Sequence, residues 1–237
     1  MSFLGWLGSF LGPRPVEVPG QPLSGSRQSN TLAGSLEAAE AEQWAFEPMQ
    51  IWVGLGNPGA QYAMHRHNVG FMAVDALAEV HGFDPPKKAF GGWAQQGRIG
   101  ATRVLLLKPA TFMNDSGRAV RAALDFFKRE VGDVTVFHDE LDLAPFKVKV
   151  KLGGGTAGHN GLRSTEAHIG NAFRRVRIGI GHPGHKDRVT GHVLGNYAKA
   201  ETDRLADMLG AIAAEAEWLA KGDDARFMNE IALRMQD

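Results

Sequence analysis

The stretch from Met49 to Gly70 reads MQIWVGLGNPGAQYAMHRHNVG, and it determines the fold that we expect for the chain. Residues 51–53 form a short apolar run, which is typical of a buried strand. The glycines and the Pro-Gly pair between residues 54 and 59 then predict a turn. Asn57 and His67 lie in and just after this turn, where α/β proteins place polar groups at the carboxyl edge of a sheet. The stretch therefore predicts a first strand followed by half of an active site.

The composition is that of an ordinary soluble globular protein, with 43% hydrophobic and 22% charged residues in a chain of 237. The chain has no cysteine, which excludes disulfides and thiolate chemistry and suits a reducing cytoplasm. No apolar run in the sequence approaches the ~20 residues of a membrane-spanning helix. We therefore expect a cytoplasmic protein without a membrane partner.

Residues 1–48 differ in composition from the rest of the chain. They carry two arginines and five glutamates, a net charge of −3, and residues 12–34 are rich in Pro, Gly, Ser, Gln and Asn. Such a segment has too few apolar residues for a core, and its start lacks the features of a secretory signal. We predict a dispensable, largely disordered N-terminal extension over 1–48 and one domain over 49–237, with Met49 as a candidate true start. Because the whole chain is neutral, this domain carries a charge of +3, which is compatible with a nucleic-acid partner.

From Met49 onward, strand and helix patterns alternate, which predicts an α/β fold: a single domain with a mixed, twisted sheet flanked by helices. We expect Val80 on the buried face of the first helix, Ser116 as the N-cap of the second, and Phe146 and Leu152 on the buried side of their strand. The patterns predict strands over 51–53, 134–138, 146–152 and 174–181, a hairpin of 93–99 with 102–107, and helices over 68–80, 116–128, 199–220 and 224–235.

The spacing Gly54-x-Gly56-x-x-Gly59 after a strand matches the fingerprint of dinucleotide-binding folds. In that fingerprint the third glycine lies in a helix whose N-terminus receives a pyrophosphate. Here Pro58 precedes the third glycine, and helical periodicity begins only near residue 68. Nucleotide binding is therefore the less favoured interpretation of this turn.

The motif FHDELDL at residues 137–143 places Asp139 just past the end of a predicted strand, at the same sheet edge as His67. A neutral imidazole can take a proton from water while a carboxylate holds its tautomer. The alternative is that the acidic residues of this motif are the solvated charges of a turn. His67 and Asp139 are our candidate catalytic pair.

Three further segments carry candidate binding residues, each with a structural alternative. Asn114 lies in a loop before a helix, where it can cap the helix or orient a substrate carbonyl. Asn160 follows a glycine-rich segment and can likewise be a helix cap. Lysines 147, 149 and 151, with outward-facing Arg175 and Arg177, form a surface suited to phosphates, although charges on a wet sheet face are common.

The chain has nine histidines, so a metal site is a further alternative. His65 and His67 are two residues apart, and His182 and His185 are three apart, but neither pair matches a zinc-binding spacing. We expect no metal.

Taken together, the motifs resemble the bacterial-type peptidyl-tRNA hydrolase family, in order along the chain from about Met49 to the C-terminus. The segments that carry the resemblance are GLGNPGAQYAMHRHNVGF (54–71), KPATFMNDSG (108–117), HDELDL (138–143), KLGGGTAGHNGL (151–162) and RIGIGHPG (177–184). The resemblance implies a single-domain α/β enzyme, typically a monomer, which needs no metal or cofactor. It implies hydrolysis of the ester between the peptide and the 3′-terminal ribose of peptidyl-tRNA, releasing free tRNA and peptide.

The resemblance also implies a role for each candidate residue. His67 would activate water, Asp139 would hold His67, and Asn57 would position the peptidyl group and the water with two further amides. The remaining implied residues are Asn114 and Asn160 as those amides, Tyr62 and Phe112 at the site of the tRNA end, Lys151 and Arg177 on the tRNA 5′ phosphate, and residues 181–193 as a mobile gate.

The sequence departs from the family pattern at His65, where threonine is usual, and at Thr156-Ala157. Neither departure removes a catalytic group. The same fold also occurs in plant organelle splicing factors, so a non-catalytic RNA-binding protein is the second interpretation. The intact set of His67, Asp139 and asparagines favours the enzyme, because a binding protein needs no base.

Overall fold

A computed structural model describes residues 49–236 of the chain. The predicted disorder of the extension over 1–48 lies outside the described residues, as does Asp237. The strands are β1 Met49–Gly54, β2 Lys87–Ala89, β3 Gly92–Ile99, β4 Thr102–Pro109, β5 Val134–Glu140, β6 Val148–Leu152 and β7 Arg174–Gly179. The helices are α1 Val69–Val80, α2 Ser116–Phe127, α3 Asn160–Ile169, α4 Val189–Val193, α5 Thr202–Ala214, α6 Ala216–Ala220 and α7 Asp224–Arg234.

The strands form one mixed sheet in the order β2-β3-β4-β1-β5-β7-β6. The four central strands β4, β1, β5 and β7 run parallel, and β2, β3 and β6 are antiparallel to their neighbours. The strand order reverses at β1, which lies between β4 and β5. In open α/β sheets such a reversal opens a crevice at the carboxyl ends of the strands. The predicted mixed sheet flanked by helices is confirmed.

Each face of the sheet buries a separate apolar core. Trp52 of β1 points into the core formed with α1, α5, α6 and α7, whereas Ile51 and Val53 point into the core formed with α2 and α3. Because successive strand residues face opposite sides, a strand covered on both faces is a continuous apolar run. This is why residues 51–53 could be recognised as a buried strand. No helix among residues 49–236 has both the length and the apolar character needed to cross a membrane.

The glycines that follow β1 allow close packing of α1. A Cβ at Gly70 would lie 2.3 Å from the carbonyl oxygen of Phe137, and one at Gly54 would lie 2.4 Å from that of Gly70. Gly59 has a φ of 120° and precedes a short 3₁₀ turn, so it does not lie in α1. The fingerprint-like spacing therefore serves helix–sheet contact and places no helix N-terminus where a pyrophosphate would bind.

Four predictions about the helices and about β6 were wrong. Val80 ends α1 and is 58% exposed, because the buried stripe of this helix passes through Val74 and Leu77 instead. Ser116 is the first residue of α2 rather than its N-cap, and its hydroxyl donates to the Met113 carbonyl over 3.0 Å. The single helix expected over 199–220 is interrupted at Glu215.

The fourth wrong prediction concerns the strand expected over 146–152. The strand begins only at Val148, since Phe146 has a left-handed φ of 66°. Leu152 is 68% exposed, whereas Val148 is buried. The alternation of buried and exposed residues therefore holds at the start of β6 and fails at its end. At the start, Met228 of α7 covers the strand and accepts from the Val150 amide.

Candidate active site

A cavity of about 1030 Å³ opens at the carboxyl ends of the parallel strands. Its walls come from the segments after β1, β4 and β5, the glycine-rich segment before α3, and the segment that ends in α4. Eight of the nine site residues expected from the sequence line it: Asn57, His67, Phe112, Asn114, Asp139, Lys151, Asn160 and Arg177. The ninth, Tyr62, is not among the lining residues.

His67 and Asp139 meet at the inner end of this cavity. Asp139 lies inside β5, which ends at Glu140, so the prediction that it lies just past the end of the strand was wrong. His67 lies in the 3₁₀ turn that leads into α1. The Nδ1 atom of His67 is 2.8 Å from Oδ1 of Asp139, and both side chains are largely buried. Because the carboxylate can only accept, Nδ1 carries the proton and Nε2 is left with a lone pair.

His159 is a third member of this group, although no sequence motif predicted a role for it. Its Nε2 atom lies 2.9 Å from the same Oδ1 atom of Asp139. Its Nδ1 atom accepts from the amides of Gly161 and Leu162, so the side chain is the N-cap of α3. Both ring nitrogens of His159 are therefore engaged. The structure also excludes Asn160 as the cap, because Asn160 is the first residue of the helix.

The carboxylate at the centre of this group is held in its charged form. Burial alone would raise the pKa of Asp139, but the electrostatic attraction and hydrogen bonds of His159 and His67 outweigh burial and hold that pKa well below its usual range. The preceding residue, His138, is also buried, and its Nδ1–H donates to the Asp139 carbonyl oxygen over 2.7 Å. Burial and the neighbouring His159 lower the pKa of His138 to about 3, so this ring is neutral at pH 7.

Asn57 is fixed by contacts on both its main chain and its side chain. Its amide donates to the Asn68 side chain, which in turn donates to the Asn57 carbonyl, each over 2.9 Å. The Oδ1 atom of Asn57 accepts from the Met113 amide over 2.9 Å. Since a backbone N–H needs an acceptor, this contact assigns the oxygen of the Asn57 amide. The Nδ2 atom is then a donor that no residue within 49–236 occupies. Asn68, next to His67, is therefore a supporting residue, and no sequence motif predicted this role for it.

Phe112, Asn114 and Asn160 lie further out along the cavity and are exposed. Phe112 is 62% exposed, which is unusual for a phenylalanine that has only a packing role. Tyr62 instead packs edge-on against His65, with ring centroids 5.2 Å apart. Burial and the neighbouring His67 lower the pKa of His65. Tyr62, in this position against His65, is not part of the cavity lining.

The cationic residues lie towards the β6–β7 side of the cavity. Lys149 pairs with Arg177 and Lys151 with Arg175 across β6 and β7, so all four side chains share one face. Arg177 donates to Glu140 over 2.9 Å. The prediction that Arg175 is exposed was wrong. Arg175 is 2% exposed because the glycine-rich segment covers it, and it donates to the Gly155 carbonyl over 2.8 Å.

Among residues 49–236, His67, Asp139 and His159 are the one group of three side chains that could hold a metal ion. Their arrangement fits hydrogen bonds better than metal ligation. The Nδ1 atom of His159 accepts two amides, so the ring proton resides on Nε2, the atom that would have to bind the metal. Metal-free hydrolysis remains our prediction.

Comparison with known proteins gives consistent matches to one family. Residues 51–237 match the family described as peptidyl-tRNA hydrolase. A peptidyl-tRNA hydrolase of Rhizorhabdus wittichii is 84% identical over 189 residues, which cover 80% of this chain and 100% of the relative. One from Sphingopyxis alaskensis is 75% identical over 188 residues, covering 79% and 100%. The crystal structure of the Acinetobacter baumannii peptidyl-tRNA hydrolase superposes with a TM-score of 0.73 at 42% identity, over 77% of this chain and 94% of that one.

Proposed function

Because this chain belongs to the peptidyl-tRNA hydrolase family, and is thereby an enzyme that hydrolyses peptidyl-tRNA, we propose that His67 activates the water that attacks the ester. The water would lose a proton to Nε2 of His67 while its oxygen attacks the ester carbonyl. The 3′ oxygen of the terminal ribose would leave with that proton. An ester has a good leaving group, so one positioned base suffices without a covalent nucleophile.

The observation that carries this proposal is the pair of histidine contacts at Oδ1 of Asp139, from which the positions of the ring protons are inferred. Two imidazoles donate to its Oδ1 atom, but only His67 retains a lone pair for a water proton. His159 uses its second nitrogen to cap α3, so protonating it would break that cap. These contacts support His67 as the proposed base, with Asp139 as the residue that would hold its tautomer.

Asn57 is proposed to stabilise the ester oxygen as negative charge develops on it. Its Nδ2 donor is fixed because Oδ1 is held by the Met113 amide, and a preorganised donor of this kind is worth several kcal/mol in a transition state. Asn114 and Asn160, which line the same cavity, would bind backbone groups of the peptide. Amides that bind backbone rather than side chains suit an enzyme that accepts any peptide.

Lys151 and Arg177 are proposed to bind the tRNA 5′ phosphate, with Phe112 against the 3′-terminal nucleotide. Both cations line the cavity, on the side formed by β6 and β7. Phosphate contacts supply affinity without reading sequence, which suits an enzyme for all tRNAs. Residues 181–193 are proposed as a gate, since His182, Lys186 and Val189 line the cavity from this segment.

We further propose that the protein acts as a monomer in the cytoplasm. The absence of cysteine suits a reducing compartment, and the family resemblance implies a monomer. Size-exclusion chromatography with light scattering tests the second point, and a dimer mass at micromolar concentration would contradict it.

The proposed reaction is tested by release of an N-blocked aminoacyl group from tRNA in ¹⁸O-labelled water, with unblocked aminoacyl-tRNA as the control. Attack on the carbonyl places one ¹⁸O atom in the released acid and none in the tRNA. We expect rapid release of the blocked group and little release of the unblocked one. Label in the tRNA, or equal release of both substrates, would contradict the proposal.

A further inference from the structure

The turn that carries His67 is joined to the cavity wall by a short antiparallel bridge. His65 pairs with Asn196, the Arg66 amide donates to the Gly195 carbonyl over 3.0 Å, and the Tyr197 amide donates to the Met64 carbonyl over 3.0 Å. Residues 195–197 directly follow the segment that lines the cavity with Val189, Thr190, Val193 and Leu194. The turn that carries His67 is therefore hydrogen-bonded directly to the residues that follow the cavity wall.

The Arg66 side chain reinforces this bridge from one side. Its Nη1 donates to the Asn196 carbonyl and its Nη2 to Oε2 of Glu201, each over 2.7 Å. Its guanidinium lies over the ring of Tyr197, 5.1 Å from the centroid. The side chain is only 15% exposed, and Glu201 also accepts from the Ala198 amide. Arg66 thus contacts the residues that follow the cavity wall, at Asn196 before Tyr197 and at Glu201 after it.

These contacts differ from those of an ordinary surface ion pair. A surface pair between two long side chains contributes little, because both are mobile and solvated. Here the guanidinium is mostly buried, is held by an aromatic ring and donates to a main-chain carbonyl as well as to a carboxylate. Such a planar donor fixes the relative position of the groups it joins. Arg66 makes none of the described contacts with the cavity itself.

We infer that Arg66 is a positioning residue, which holds the His67 turn in register with the cavity wall formed by α4. This inference rests on the proposed role of His67 as the base. The peptide and the water would bind against α4, and the base would reach the water from the turn on the other side. A shift of the turn relative to α4 would then misplace Nε2 while leaving the phosphate contacts of the tRNA in place.

The test compares Arg66→Gln, Arg66→Lys and Glu201→Gln, alone and as the Arg66→Gln/Glu201→Gln pair, in steady-state cleavage of an N-blocked aminoacyl-tRNA. Arg66→Gln is expected to lower kcat about tenfold, because small misplacement of a catalytic group is costly. KM should change less than about twofold, since uniform binding is retained. Arg66→Lys should restore part of kcat. The double variant should match Arg66→Gln, because each change removes the same interaction, the ion pair between Arg66 and Glu201.

Arg121→Gln is the matched control. It removes an arginine from an exposed ion pair with Asp125 on α2, outside the cavity lining, and kcat should be unchanged. An unchanged kcat in Arg66→Gln, or a rise in KM alone, would overturn the inference. So would a double variant with the full sum of both losses. Activity of His67→Ala in the same assay separates failure of the base assignment from failure of the Arg66 assignment.

Discussion

His67 and His159 donate to a single oxygen atom, Oδ1 of Asp139, over 2.8 and 2.9 Å, with their ring centroids 4.8 Å apart. Both rings contact the same carboxylate oxygen, His67 through Nδ1 and His159 through Nε2, but their second nitrogens have different surroundings. The second nitrogen of His159 caps a helix, whereas that of His67 has no such partner among residues 49–236. The direction of each proton therefore decides which histidine can act as a base.

Replacing His67 with alanine should lower the rate of ester cleavage by at least ~10², the contribution of a positioned general base. Binding of tRNA should persist, because the residues proposed to contact phosphate, Lys151 and Arg177, lie elsewhere in the cavity. Single-turnover release of the blocked aminoacyl group and the tRNA Kd measure the two effects. His168→Ala, at an exposed histidine of α3, is the matched control. Normal turnover in His67→Ala would remove His67 from the mechanism.

His159→Asn separates the two functions of His159. Asparagine is among the best N-cap residues, so the start of α3 should be retained, but its shorter side chain cannot reach Asp139. We expect kcat to fall about tenfold through poorer orientation of Asp139, well short of the loss in His67→Ala. His159→Ala should in addition lose about 1 kcal/mol of stability with the cap, measured by urea unfolding. A His159→Asn variant as inactive as His67→Ala would show that His159 takes part directly in catalysis.

The sequence was sufficient for features that depend on neighbouring residues. The apolar run before Gly54 identified a strand, and the apolar run that begins β5 placed Asp139 at the correct sheet edge, although this residue lies inside the strand rather than past its end. His159 was missed because its role depends on which nitrogen carries the proton. That assignment requires the contacts to Asp139 and to the amides of α3, which join residues distant in the sequence.

The alternation of residues along a strand predicted which side chains share a face of the sheet, but not which other segments of the chain cover that face. Arg175 and Arg177 do lie on one face of β7 and both line the cavity, yet only Arg177 is partly exposed. The glycine-rich segment folds over Arg175, and this contact between separate segments has no periodic signal in the sequence. The same reason applies to Leu152, which has the apolar character of a core residue but lies beyond the part of β6 that α7 covers.

Lys151→Ala and Arg177→Ala should each weaken tRNA binding and reduce the slope of log Kd against log salt by about one. Glu140→Gln should have the opposite effect on affinity, because Glu140 holds Arg177 over 2.9 Å and repels a phosphate. Filter binding between about 50 and 200 mM salt measures these slopes. Lys221→Ala, at a lysine paired with Glu217 outside the cavity lining, is the control. An unchanged slope in both cavity variants would exclude them from the phosphate site.

His138 should make the folded protein sensitive to mild acid. Burial and His159 lower its pKa to about 3 in the folded state, whereas an unfolded histidine titrates near ~6.5. Between these values the unfolded state binds one more proton, so its contribution to stability is complete above ~6.5 and is lost as the pH falls. Other groups that face the ring are Asp139 and Arg175, and both remain in a His138→Gln variant.

The free energy of unfolding should therefore fall more steeply in the wild-type protein than in His138→Gln as the pH decreases from 6 to 4.5. The expected difference in slope is about 1.4 kcal/mol per pH unit, the value for one proton. Urea titrations at several pH values measure it, with His168→Gln as the control for exchanging an exposed histidine of α3. The difference cancels the contributions of all other groups, including His65, whose pKa is also lowered. Parallel pH profiles for wild type and His138→Gln would mean that His138 takes up its proton within the fold, which would require its buried Nε2 to have found a partner.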